Sequence, residues 1–193
     1  MSIKELMEID VANEQWQEAV ASLQVSGIRP EILIEEVPAP ARLAPFSAAL
    51  AVDAVNADDE DLASGRFVVL HDPDGQPTWD GTFRIVTFVK APIESDVVTD
   101  DIFDEVAWSW LTECLTDNNV EYHHLSGTVT RTVSRSFADL KERKDESDLE
   151  IRASWTANSQ DLSHHFLGWL QLVETCAGLQ PIPPGVPAIA RTS

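Results

Sequence analysis

The segment from Arg66 to Leu115 constrains the fold of this 193-residue chain more than any other. It runs RFVVLHDPDGQPTWDGTFRIVTFVK, then an acidic link, then DDIFDEVAWSWLTECL. An apolar strand, a turn rich in Pro and Gly and an alternating strand lead into an amphipathic helix. A shorter version of the same order follows between Thr128 and Cys176. Strands joined by short turns pair antiparallel, and helices set between such hairpins cover the sheet they form. The pattern is that of an α+β domain. It contains no recognisable catalytic motif.

The flanking sequence fills in the order. Residues Ala12 to Gln24 suggest a first helix with Trp16, Val20 and Leu23 on one face, and Gly27 as its stop. Ile32–Val37 is a short apolar strand that ends at Pro38. Phe46–Val55 permits helix through its alanines and strand through the alternation of Leu50, Val52 and Ala54; strand is the preferred reading. Arg66–His71 reads as a buried strand, Asp72–Pro77 as a turn-rich loop and Thr82–Lys90 as a strand with apolar residues on both faces. Thr99 is placed to cap the central helix, with Asp100 and Asp101 complementing its dipole. Val120–Leu125 reads as a short extended piece, and Thr128–Phe137 and the segment from Leu149 to Thr156 as alternating strands. A last helix spans about Gln160–Ala177, with Trp169 and Phe166 inward. The expected fold is an antiparallel sheet of about five strands with helices packed on it, in the order α-βββ-α-ββ-α. A single domain covers residues 1–180, and 181–193 is a proline-rich tail.

Charge narrows the function classes. Acidic residues number 33 against 13 basic ones, a net charge of −20. A body that acidic repels phosphate backbones and anionic membranes, so direct nucleic-acid and membrane binding are not expected. The same field favours solubility and basic partners. Cys114 and Cys176 form no CxxC pair and fall in helices, where reduced buried thiols are the default. Met1–Asp10 has no signal-peptide core, and no apolar run reaches the ~20 residues of a membrane span. The expected compartment is the cytoplasm.

Few residues point to chemistry. No nucleophile elbow, phosphate loop or dinucleotide fingerprint is present, so no catalytic residue, metal ligand or cofactor is assigned. His71 and Asp72 sit where a strand enters a loop, near Asp74 and Asp80, an address suited to a general base or a metal ligand; the plainer reading is a polar turn. His123 and His124 are adjacent in an extended segment, so their side chains are expected to point apart and not to share a metal. His164 and His165 lie about 100° apart on the last helix, His165 beside the apolar stripe. Trp110, Trp155 and Trp169 are expected in the core. Trp108 and Trp79 are the aromatic candidates for a groove or an interface. Arg131 and Arg135 are expected to pair internally.

The strings LAPFSAAL, GRFVVLHDPDGQPTWDGTFRIVTFVKA, DEVAWSWLTECL, SGTVTRTVSRSF and LEIRASWT resemble an actinobacterial family known as domain of unknown function number 3000. The resemblance spans about Ile32 to Pro184. It implies an actinobacterial cytoplasmic protein and supplies no activity; its gene neighbourhoods, with a ribonuclease D-like exonuclease, imply a link to RNA metabolism. In element order the chain is also similar to type III secretion chaperones, which are small, acidic and often dimeric. The leading expectation is therefore a non-catalytic, acidic, protein-binding or chaperone-like domain that self-associates or binds a protein partner. One alternative is a small enzyme or ligand-binding protein with a pocket near His71, Asp72 and Trp79. Another is an accessory protein in RNA metabolism acting through a protein partner.

Overall fold

The computed structural model describes residues 14–94, 102–138 and 145–181. Helix α1 covers residues 14–22. Four strands follow: β1 (Ile32–Val37), β2 (Phe46–Val55), β3 (Asp61–Gln76) and β4 (Gly81–Pro92). Then come α2 (Phe103–Asp117), β5 (Tyr122–Ser134), β6 (Glu146–Ala157) and α3 (Ser163–Cys176). All six strands form one antiparallel sheet in the order β1-β2-β3-β4-β6-β5. The α+β class stands, with six strands where about five were expected.

The extra strand comes from the N-terminal half. Ile32–Val37 pairs in register with Phe46–Val55, Ile34 opposite Val52, so four strands precede α2. Phe46–Val55 is a strand, as its alternation indicates. The two extended pieces around residues 120 and 128 are one strand, β5, with an irregularity between His123 and Ser126. The region from Asp72 to Gln76, read as a loop, continues β3; the reversal lies beyond it, where the amides of Trp79 and Asp80 both donate to the Gln76 carbonyl. The turn residues of this stretch do their work a few positions later than composition suggested.

Period-2 alternation splits the sheet into two unlike faces. One face carries Phe67, Val69, Ile85, Val89, Ile151 and Trp155, which merge with Leu111, Leu115, Phe166 and Trp169 of α2 and α3 into one core. Trp155 and Trp169 are fully buried within it. Gly65 lets α3 approach, since a Cβ there would stand 2.7 Å from the Trp169 ring. α1 closes the other end, where Trp16 packs against Phe46 and His71. The Ser22 hydroxyl accepts from the Leu162 amide at 2.8 Å and ties α1 to the start of α3.

The helix starts are capped modestly. Ile102 precedes α2 without a side-chain cap, and Asp104 and Glu105 complement the dipole from its first turn. The proposed cap Thr99 with Asp100 and Asp101 lies outside the described residues, as does the tail from residue 182. At α3 the Asp161 carboxylate accepts from the Ser163 amide and hydroxyl, which holds its pKa below the usual range. No described helix is long and apolar enough to cross a membrane.

Candidate functional site

The second face of the sheet is the candidate site, because among the described residues no helix packs on it. Its rows can be read from the strand registers. Val37, Ala49, Val68, Val86 and Ser154 lie side by side across five strands. The next row is Glu35, Ala51, Arg66, Phe88 and Arg152. A cleft of about 430 Å³ lies here, lined by Arg66, Val68, Val86, Phe88, Arg152 and Ser154 among others. Val86 is 36% exposed, and the Arg152 guanidinium sits 5.5 Å from the centre of the Phe88 ring. An apolar stripe flanked by guanidinium groups is unusual ground in a chain of net charge −20.

One end of this face is closed by the β3–β4 hairpin. Trp79 folds back over it and forms a small separate cluster with Ala49, Val68 and Leu70. Its carbonyl accepts from the Thr156 hydroxyl, which anchors the hairpin to β6. Beside it, Arg84 is 9% exposed and donates to the His124 carbonyl at 2.9 Å and to the hydroxyls of Thr156 and Ser154 at 3.1 and 2.7 Å. None of these partners is anionic. Burial alone therefore lowers the Arg84 pKa, and its charge has no carboxylate against it among the described residues.

The same rim gathers three potential ligands. Asp80 stands at the hairpin tip with φ +55°, and His124 sits in the β5 irregularity with φ +51°. Left-handed backbone is costly for residues other than Gly and aims these side chains where a regular strand would not. The rings of His123 and His124 are 5.0 Å apart at a steep angle. The expectation that they point apart is thus overturned, because it assumed extended backbone at both positions. His123 meets the Asp80 carbonyl through Nε2 at 2.9 Å and the Asn158 side-chain oxygen through Nδ1, contacts that raise its pKa.

The residues singled out from sequence do not meet in one pocket. His71 is fully buried on the helix-covered face, its ring stacked 4.0 Å from Phe83 with Trp16 beyond. Its Nδ1 donates to the Thr82 carbonyl, its Nε2 is buried without a partner among the described residues, and burial lowers its pKa. Asp72 follows it in β3 and accepts from the Asp74 amide and the Gln76 side chain. Trp79 lies on the opposite face from His71. Trp108 is half-buried against Gly127 of β5, where a Cβ would stand 2.7 Å from its ring.

The other polar side chains singled out from sequence make contacts within the chain. Arg131 pairs with Asp104 at 2.8 Å and Arg135 with Asp145 at 3.4 Å, the internal pairing expected of them. His165 is buried and accepts from Trp155, while His164 is exposed and bonds the Asn118 carbonyl. Sequence reasoning missed Arg84, Arg29 and Asn158. Arg84 carried a legible signal, a lone charge between Phe83 and Ile85 in an apolar strand.

The family model described as Protein of unknown function (DUF3000) matches residues 12–187. The chain belongs to the DUF3000 family. Among curated proteins and among solved structures, none matches it. No activity is attached to the family, so what this DUF3000 protein does has to be read from its surfaces. Its two free cysteines are poor nucleophile candidates: burial pushes the Cys114 thiol up to about 11 and Cys176 up to about 12.

Proposed function

We propose that this protein is a non-catalytic binding module that lays the bare face of its sheet against a partner polypeptide. The observation that carries this reading is the apolar stripe of Val86 and Phe88 set between Arg66 and Arg152, next to Arg84, which faces no carboxylate among the described residues. Such a surface fits a segment bringing apolar side chains together with a carboxylate. Burying the stripe releases ordered water, and the carboxylate completes the charge of the guanidinium groups. Arg152 is shared with Glu150 at 3.0 Å, whereas Arg66 makes no ion pair among the described residues and is ready for an incoming anion.

A second copy of the chain suits this face less well. Two bodies of net charge −20 repel on approach, and that repulsion is screened only beyond a Debye length of roughly 8 Å. A partner of low or positive net charge meets no such barrier. The element order α-ββββ-α-ββ-α, one strand more than the α-βββ-α-ββ-α expected from the sequence, is the basis for a chaperone-like use of the sheet by analogy with type III secretion chaperones. On this reading the protein works in the cytoplasm of an actinobacterial cell, and any role in RNA metabolism passes through the partner.

The test is a photo-crosslinking residue at position 86, compared with one at exposed Glu113 of α2 on the helix-covered side of the sheet. Adducts with one defined protein at position 86, abolished by Arg66→Glu, support the reading. A protein that is monomeric by light scattering and yields no adduct from cell extract overturns it; an adduct with itself replaces the partner by a second copy.

A further inference from the structure

We propose that Asp80, His123 and His124 form a binding site for a divalent transition-metal cation of the zinc class, held by two imidazoles and one carboxylate. One ligand atom from each residue lies within 4.8 Å of the others. A tetrahedral zinc with bonds of about 2.1 Å spaces its ligand atoms ~3.4 Å apart. Asp80 and His124 are exposed, so small side-chain rotations close the set.

The convergence is built into the backbone. Adjacent strand residues present their side chains to opposite faces, and here they do not, because the β5 irregularity spans His123 to Ser126 and His124 is left-handed. Asp80, from an element distant in sequence, reaches the same point through its own left-handed conformation. The strained backbone therefore occurs at two of the three ligand positions.

His123 also has the supporting partner that metal-bound histidines use. Its Nδ1 bonds the Asn158 side-chain oxygen, which fixes the ring orientation and leaves Nε2 as the coordinating atom. On binding, the proton that Nε2 shares with the Asp80 carbonyl leaves for solvent, and the freed lone pair takes the cation. Arg84 faces the site from below through the His124 carbonyl and opposes a second positive charge, which Asp80 offsets. The site is thus one of modest affinity. A bound cation would clip the β3–β4 hairpin to β5 at the end of the bare face. This site stands independently of the proposed partner surface.

The experiment is titration of the full-length protein with zinc against a chromophoric chelator, together with the visible spectrum of the cobalt(II) form. One equivalent of zinc should bind, and cobalt should show nitrogen and oxygen coordination without a thiolate charge-transfer band, which sets Cys114 and Cys176 aside. Asp80→Asn and His124→Asn should each weaken binding at least about tenfold, and Asn158→Ala by a smaller factor. Asparagine tolerates left-handed backbone, so both ligand variants should fold, as checked by urea unfolding. His164→Gln should bind like the wild type. Failure of the wild type to bind, a thiolate band, or ligand variants that bind as tightly as wild type would overturn the proposal.

Discussion

The indole N–H of Trp155 donates to Nδ1 of His165 at 2.9 Å, joining the centre of β6 to α3 inside the core. The bond requires a neutral imidazole, and burial lowers the His165 pKa to about 4, helped by His164 nearby. Because the folded value lies below the unfolded one of ~6.5, the unfolded chain takes up the proton first. The contribution is complete above pH ~6.5 and is lost as pH falls toward 4. His165→Gln keeps an acceptor for the indole and cannot take up a proton. Between pH 7 and 4 the wild type should lose on the order of 3 kcal/mol more unfolding free energy than this variant, measured by urea melts. Equal losses would refute the linkage.

His71 offers a contrasting case, since its Nε2 is buried without a partner among the described residues. His71→Phe keeps the stack on Phe83, loses one bond to the Thr82 carbonyl and removes the orphaned nitrogen. These effects oppose each other, so stability at pH 7 should stay within about 1 kcal/mol of wild type. Partner crosslinking at position 86 should be unchanged. Loss of crosslinking in a folded His71→Phe protein would mean that His71 serves function rather than packing.

Arg29 is 8% exposed and ties the start of β1 to α3 and the segment after it. Its guanidinium bonds Glu31 before β1 at 3.1 Å, Glu174 in α3 at 3.6 Å and the Gln180 carbonyl at 3.0 Å. Arg29→Met would leave Glu174, whose pKa burial already raises, facing Glu31 without this cation. A loss of about 2–3 kcal/mol is expected, reduced from the fully buried case because both carboxylates are partly exposed. Protonation relieves the stranded carboxylate, so the deficit should shrink as pH falls, and Glu174→Gln added to Arg29→Met should recover part of it. A deficit independent of pH would assign the loss to packing instead.

At Gly127 the backbone of β5 lies directly against Trp108 of α2. A Cβ there would collide with the Arg152 carbonyl of β6 as well as the Trp108 ring. The carbonyl belongs to the paired backbone and cannot swing aside, so Gly127→Ala should cost about 3 kcal/mol. Adding Trp108→Ala should not restore stability. Rescue by the double variant would show that the ring alone sets the requirement.

How much of this was readable beforehand varies by residue. The alternation that placed Ile151 and Trp155 on one face of a strand, and the helical spacing that placed Phe166 and Trp169 inward, both survive intact. Local periodicity encodes them, and local periodicity is visible in a chain. The sixth strand was half visible: Ile32–Val37 was read as a strand, but whether it joins the sheet depends on pairing with Phe46–Val55. Trp79 and His71 looked like neighbours because eight positions separate them. The hairpin reversal then carries Trp79 over one face while His71 is buried beneath the other.

By itself, then, the sequence determined the α+β class, the strand and helix segments, the tryptophan-rich core and the strong acidity. Each follows from side-chain spacing or from a sum of charges, and neither needs a third dimension. Only the tertiary structure decided that, among the described residues, one sheet face carries no helix, that Arg84 is buried there without a carboxylate, and that Asp80 reaches His123 and His124. Those outcomes turn on where three helices dock and on two left-handed residues. Non-local packing selects both, and no window of sequence records them.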